Sequence, residues 1–226
     1  SYADTGSYTF TSADGKFTRT MTGSGKTVIR SLNAAATKLY DLYAIAAGMR
    51  HEVPADFSRY MPAEDARYYA YVADHEDFYQ KGPATTESSG VTWRFALALR
   101  DDFFNEVDAL ARGDVRHAAK LRFTHAEMII PLASAMGLQQ ALAPLPASVS
   151  YSYADNPWRG QSVSPLAANM QWDVYRNEAG QLIVRLLYNE KETDFQAACN
   201  GARIAPGSVF YDYAKLKTCY GHVAAR

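Results

Sequence analysis

The spacing of the apolar residues changes partway along the chain, and this change most constrains the fold. Up to about residue 113 they recur at helical intervals, as in Val28, Ile29, Leu32, Ala35, Ala36, Leu39, Leu42 and Tyr43, and again in Trp93, Phe95, Leu97, Phe103, Phe104, Val107 and Leu110. In 169–176 and 181–189 they alternate with polar residues, Met170, Trp172 and Val174 in one run and Leu182, Val184 and Leu186 in the other. A period near 3.6 marks a helix with one buried face and a period of two a half-buried strand. A chain that holds both in separate blocks predicts an α/β fold carrying a mainly helical part.

Terminators place the elements. The first two dozen residues are rich in Ser, Thr and Gly and read as an irregular or edge-strand lead-in. A helix is predicted from Thr27 to Gly48. A second starts at Pro62, where Glu64 and Asp65 suit the positive end of its dipole, and runs to Gly82-Pro83. A third covers about 91–112, with Gly113 past its end. Residues 120–124 predict a short strand leading into a helix over 125–137, closed by Gly137. After a Pro-, Ser- and Ala-rich connection over 138–165, the two alternating runs make an antiparallel hairpin around Asn177-Glu178-Ala179-Gly180. A last helix is expected near 209–219, after Pro206-Gly207-Ser208.

With 226 residues, 48% of them hydrophobic, the chain can bury a sizeable core. Its 23 basic and 24 acidic residues give a formal charge of −1, which supplies no field to draw nucleic acid or an anionic membrane, so neither is expected as a partner. No run approaches the roughly 18 apolar residues of a membrane-spanning helix, and SYADTGSYTF lacks a basic segment followed by an apolar one. His51, His75, His117 and His222 fall in no grouping with metal-ligand spacing, so no metal or other cofactor is expected. TMTGSGKT (20–27) approaches the phosphate-binding loop pattern, but Thr20 stands where the first glycine belongs and no buried strand precedes it. Cys199 and Cys219 are compatible with one disulfide and equally with two buried thiols.

LRFTHAEMIIPL (121–132) concentrates the chemistry. A helix that opens at His125 directs its first free N–H groups beyond the end of the preceding strand, a favourable place for an anion. An imidazole there can donate to a phosphate oxygen, and a protonated Glu127 can give its proton to a departing alkoxide. The same two residues also suit a helix start that serves only itself, His125 as the cap and Glu127 as complement to the dipole.

LRFTHAEMIIPLASAMGL resembles the strand, His-Ala-Glu and helix of the histidine acid phosphatase branch that includes the multiple inositol polyphosphate phosphatases. VADHEDFYQKGP and DDFFNEVD before it, and ANMQWDVYRN, LIVRLLYNEKE and Cys199 after it, occur in matching order, so the likeness runs from about residue 68 to the end. It implies a histidine-phosphatase-type sheet with flanking helices and an inserted helical domain. Residues 1–113 would be the mostly helical insertion with its irregular lead-in, and 114–226 the C-terminal part of the α/β core. It also implies hydrolysis of phosphomonoesters, inositol phosphates such as phytate above all, through a phosphohistidine.

By the same resemblance His125 would contact the transferred phosphoryl group and Glu127 would be the proton donor. Lys81 and Arg94, from the insertion, would be candidate substrate contacts; by themselves they read as a solvated helix-end lysine and an arginine lying along its helix. Cys199 and Cys219 would form a disulfide, in keeping with a family of periplasmic or secreted proteins. The family's nucleophile lies in Arg-His-Gly-x-Arg-x-Pro, yet Arg50-His51 continues as Glu52-Val53 and Arg116-His117 as Ala118-Ala119. The catalytic N-terminal half is therefore expected from the rest of a protein of roughly twice this length, or from a companion chain. The competing expectation is a non-catalytic phosphate-ligand-binding or interaction protein of the same fold.

Overall fold

A computed structural model describes residues 2–12, 14–51, 56–114 and 117–223. Packing divides the chain into two units, Ser1–Ala73 and Asp74–Arg226.

In the first unit, short strands β1 (Tyr2–Ala3), β2 (Ser7–Thr11), β3 (Thr18–Thr22) and β4 (Val28–Ile29) replace the irregular lead-in. β1 pairs with β4, and β2 with β3, both antiparallel. Hydroxyls face each other across β2 and β3, Thr9 to Thr20 at 2.8 Å and Thr11 to Thr18 at 3.0 Å. Helix α1 spans Leu32–Ile45 and starts five residues after the expected Thr27, because Ser31 accepts a hydrogen bond from the Ala34 amide and Val28–Ile29 is held by β1. Helix α2 spans Ala63–Gln80, as the Pro62 and Gly82-Pro83 signals predict, and its last turns belong to the second unit. Tyr69 of α2 stacks on Tyr40 of α1 with ring centroids 5.8 Å apart.

In the second unit, α3 spans Leu97–Ala111. It begins later than 91 because 91–93 form turns and Arg94–Ala96 a separate 3-10 turn. Helix α4 spans Ala126–Ala135 and buries every residue from Ile129 to Ala135, where each large aliphatic side chain contributes about 1.5–3 kcal/mol. Gly137 follows with φ +67, the left-handed geometry that lets the chain turn away. α5 is a single turn, Gly160–Val163.

The hairpin is where it was expected, as β5 (Met170–Arg176) and β6 (Leu182–Tyr188), in register Trp172 to Leu186 and Val174 to Val184. β6 also pairs with β7 (Lys191–Thr193) at its end and with β8 (Phe210–Asp212) nearer its start. The expected 209–219 helix is thus shortened to α6 (Tyr213–Cys219), since 210–212 hydrogen-bond to β6 and Asp212 caps the helix by accepting from the Lys215 amide at 2.9 Å. The core of this unit is aromatic. Trp172 meets Phe104 at 4.9 Å and Phe195 at 5.2 Å, both edge-on, while Phe78, Tyr151 and Trp158 cluster at the end of α2. Cys199 and Cys219 are joined, tying the 3-10 turn Ala197–Ala202 to α6.

One expectation fails. Residues 120–124 form no strand, for no other described segment pairs with them. Their alternation survives as exposure: Leu121 is 75% and Phe123 92% exposed, while Arg122 is held by Asp102 of α3. A strand exists only through its neighbours' hydrogen bonds.

Candidate active site

The chain reaches α4 through His125, whose backbone is extended (φ −125, ψ 176) and which stands at the cap position. Its ring makes no capping hydrogen bond and is exposed, so the imidazole is not used up by the helix start. Glu127, in the first turn, is also exposed and accepts from its own backbone N–H. To that extent it does what a helix-dipole partner does. Pro131, four residues on, has no N–H to offer the Glu127 carbonyl, so the first turn of α4 is less tied than the buried remainder.

Lys81, just past the end of α2, reaches this junction. Its ammonium donates to the Asp77 carboxylate at 2.7 Å and to Glu127 at 3.3 Å. The Glu127 carboxyl is held below its ordinary pKa by its own amide first, then by Lys81, with His125 adding a smaller push. Burial works against the Lys81 charge, but Asp77 and Glu127 outweigh it and raise the lysine pKa. Of the residues expected at the site, Lys81 and Glu127 are therefore in contact, and His125 opens the same helix. Arg94 is exposed on the 3-10 turn that packs against α4, with no hydrogen bond or ion pair to Glu127 or His125 among the described residues.

Sequence reasoning missed Asp77. The signal for it was present, since a carboxylate four residues before a lysine on one helix face makes a pair. No group of side chains able to hold a metal occurs among the described residues. The arrangement offers an imidazole, an ammonium and two carboxyls around an exposed helix start, which suits binding an anion and moving one proton.

Residues 13–189 match the pattern of the histidine phosphatase superfamily (branch 2). Multiple inositol polyphosphate phosphatase of Bifidobacterium longum, solved with phosphate, is 40% identical and superposes with a TM-score of 0.74 over 88% of this chain and 42% of that one. The same phosphatase solved with inositol hexasulfate gives 41% identity and the same TM-score, over 88% of this chain and 40% of that one. Human multiple inositol polyphosphate phosphatase 1 is 28% identical over 138 residues, which is 57% of this chain and 28% of the human protein. This chain thus spans less than half the length of the relatives it matches. With the matched pattern covering most of its length and including the His-Ala-Glu junction, the chain belongs to branch 2 of the histidine phosphatase superfamily.

Proposed function

We propose that this chain supplies the proton-donor side of a phosphomonoester hydrolase that acts on inositol polyphosphates. The observation that carries the reading is the junction itself: an exposed His125 ring that makes no capping hydrogen bond and the Glu127 carboxyl at the exposed start of α4, with the Lys81 ammonium 3.3 Å from that carboxyl. His125 donates to the phosphoryl oxygens, and Lys81 and Arg94 add positive charge for further phosphates of the substrate. Glu127 protonates the departing inositol oxygen, which is too basic to leave as an alkoxide. The phosphoryl group passes to a nucleophilic histidine in a segment outside these residues. No metal is needed for such a transfer, since nucleophilic and acid catalysis suffice.

The depressed acidity of Glu127 bears on this role. An arriving phosphate places negative charge beside the carboxyl and raises its affinity for a proton, so the donor is loaded when substrate binds. The binding of inositol hexasulfate by the B. longum protein supports a densely anionic ring as the ligand. In this reading residues up to 113 are the inserted cap and 114–226 the C-terminal part of the core. That is a division by role, since by packing the end of α2 and all of α3 go with the later residues. The Cys199–Cys219 bond supports a periplasmic or secreted location.

The test is a pair of rates on each of two variants, measured in protein that includes the nucleophilic segment. Glu127→Gln keeps the shape and a hydrogen bond without a proton to give, so inositol phosphates should suffer far more than p-nitrophenyl phosphate, whose leaving group needs little protonation. His125→Ala should slow both alike. Parental rates on inositol phosphates with Glu127→Gln would reduce Glu127 to a dipole partner.

A further inference from the structure

A proton donor beside a lysine poses a physical problem. An ammonium in contact with a carboxyl favours the ionised form, and a fully engaged Lys81–Glu127 pair would leave no proton to deliver. The structure shows the ammonium unequally shared, 2.7 Å from Asp77 against 3.3 Å from Glu127. We propose that Asp77 is a positioning residue for the acid: by drawing Lys81 toward itself it keeps Glu127 able to hold the proton that the reaction consumes. This rests on the reading of Glu127 as the donor.

Two effects of Asp77 act in the same direction. It competes for the ammonium, and its own negative charge disfavours a second one nearby. The geometry is fixed by the backbone. The Asp77 carbonyl accepts from the amides of both Lys81 and Gly82, at 2.9 and 2.8 Å, closing the end of α2. Gly82 is packed so closely that a Cβ there would lie 3.0 Å from the Phe78 backbone and 3.1 Å from the Trp158 ring. Its carbonyl is held by the Thr92 hydroxyl at 2.7 Å. Lys81 therefore leaves a rigid turn, and its side chain is directed to one carboxylate by helix spacing and to the other by tertiary packing. The titratable groups that act on Glu127 are His125 at the cap of its helix and Lys81 just past α2, and Asp77 of α2 holds Lys81 from the other side.

With a phosphate ester in place, the Glu127 proton moves to the bridging oxygen as the P–O bond breaks. The phosphoryl group bonds to the nucleophilic histidine, the alcohol leaves, and the Glu127 carboxylate regains the Lys81 contact until it takes a proton from solvent.

The experiment compares pH profiles of kcat/KM for the whole enzyme and its Asp77→Asn and Asp77→Glu variants, with inositol hexakisphosphate and with p-nitrophenyl phosphate. Asp77→Asn keeps an acceptor for Lys81 but removes the charge. It should move the basic limb for the inositol ester down by about half a pH unit, and Asp77→Glu should restore it. The p-nitrophenyl profile and the melting temperature should not move. An unmoved limb in folded Asp77→Asn overturns the proposal, as does an equal shift with both substrates. Should Asp77→Asn fail to fold, Lys81→Met serves instead and must move the same limb up; a limb unmoved or lowered there overturns the proposal as well. Glu127→Gln separates the two readings: if it loses the inositol rate while the Asp77→Asn limb stays put, only the positioning role falls.

Discussion

Two lysine–carboxylate clusters in the second unit look alike in distance and in the partial burial of the lysine, and differ in the burial of their carboxylates. Lys217 reaches both oxygens of Asp108 at 2.7 Å, and Lys81 reaches Asp77 at the same 2.7 Å. Asp108 is nearly buried and fully partnered: the Tyr213 hydroxyl lies 2.8 Å from it, and Nε2 of the buried His222 ring, stacked on Phe104, is 3.5 Å away. Burial alone would raise the Asp108 pKa, but Lys217 and Tyr213 outweigh it and hold the carboxyl below its ordinary range. The Lys81 cluster ends instead in a Glu127 that is 67% exposed. A buried, satisfied pair fixes the fold. An exposed carboxyl held by its own amide and by one long lysine contact is free to exchange its proton.

The sharpest way to break this contrast is Glu127→Gln, expected to cost roughly 10²- to 10⁴-fold in the rate on inositol phosphates with no change in melting. Next, Asp108→Asn leaves the Lys217 charge without its counter-ion in a poorly hydrated place. It should cost about 3 kcal/mol in urea denaturation, with activity per folded molecule retained. A smaller, pH-dependent effect follows from the lowered Asp108 pKa. The unfolded carboxyl binds protons more readily than the folded one, so its stabilisation is full above about pH 4 and is lost as pH falls further, through the folded value. Urea midpoints followed from pH 6 to pH 3 should therefore fall, and fall less steeply in Asp108→Asn. The smallest effect is expected for the stability of Lys81→Met, below about 1 kcal/mol, since its partners can turn to water. A larger loss would place the two clusters in one class.

Much of this was legible in the sequence where the signal is local. Met170, Trp172 and Val174 against Leu182, Val184 and Leu186 gave the hairpin because a period of two leaves little choice once one face is buried. Gly137 and His125 bracketed α4 within two residues at each end. The misses are non-local. Phe210–Asp212 reads as the start of a helix until β6 offers it hydrogen bonds, and 120–124 reads as a strand although no described segment pairs with it. Asp108 and Lys217 stand 109 positions apart, and nothing near either of them announces the other. Asp77, by contrast, lay within reach of sequence reasoning, four residues before a lysine already singled out.

That separation of 109 residues also has a temporal side. At synthesis rates of 5–20 residues per second, roughly 5–20 s pass between the appearance of Asp108 and that of Lys217. During that interval α3 has neither the counter-ion for its buried carboxylate nor the Tyr220 and His222 rings that cover Phe104. The nascent chain thus carries an apolar face and an unmatched charge together until α6 and the residues just after it arrive to cover the one and neutralise the other.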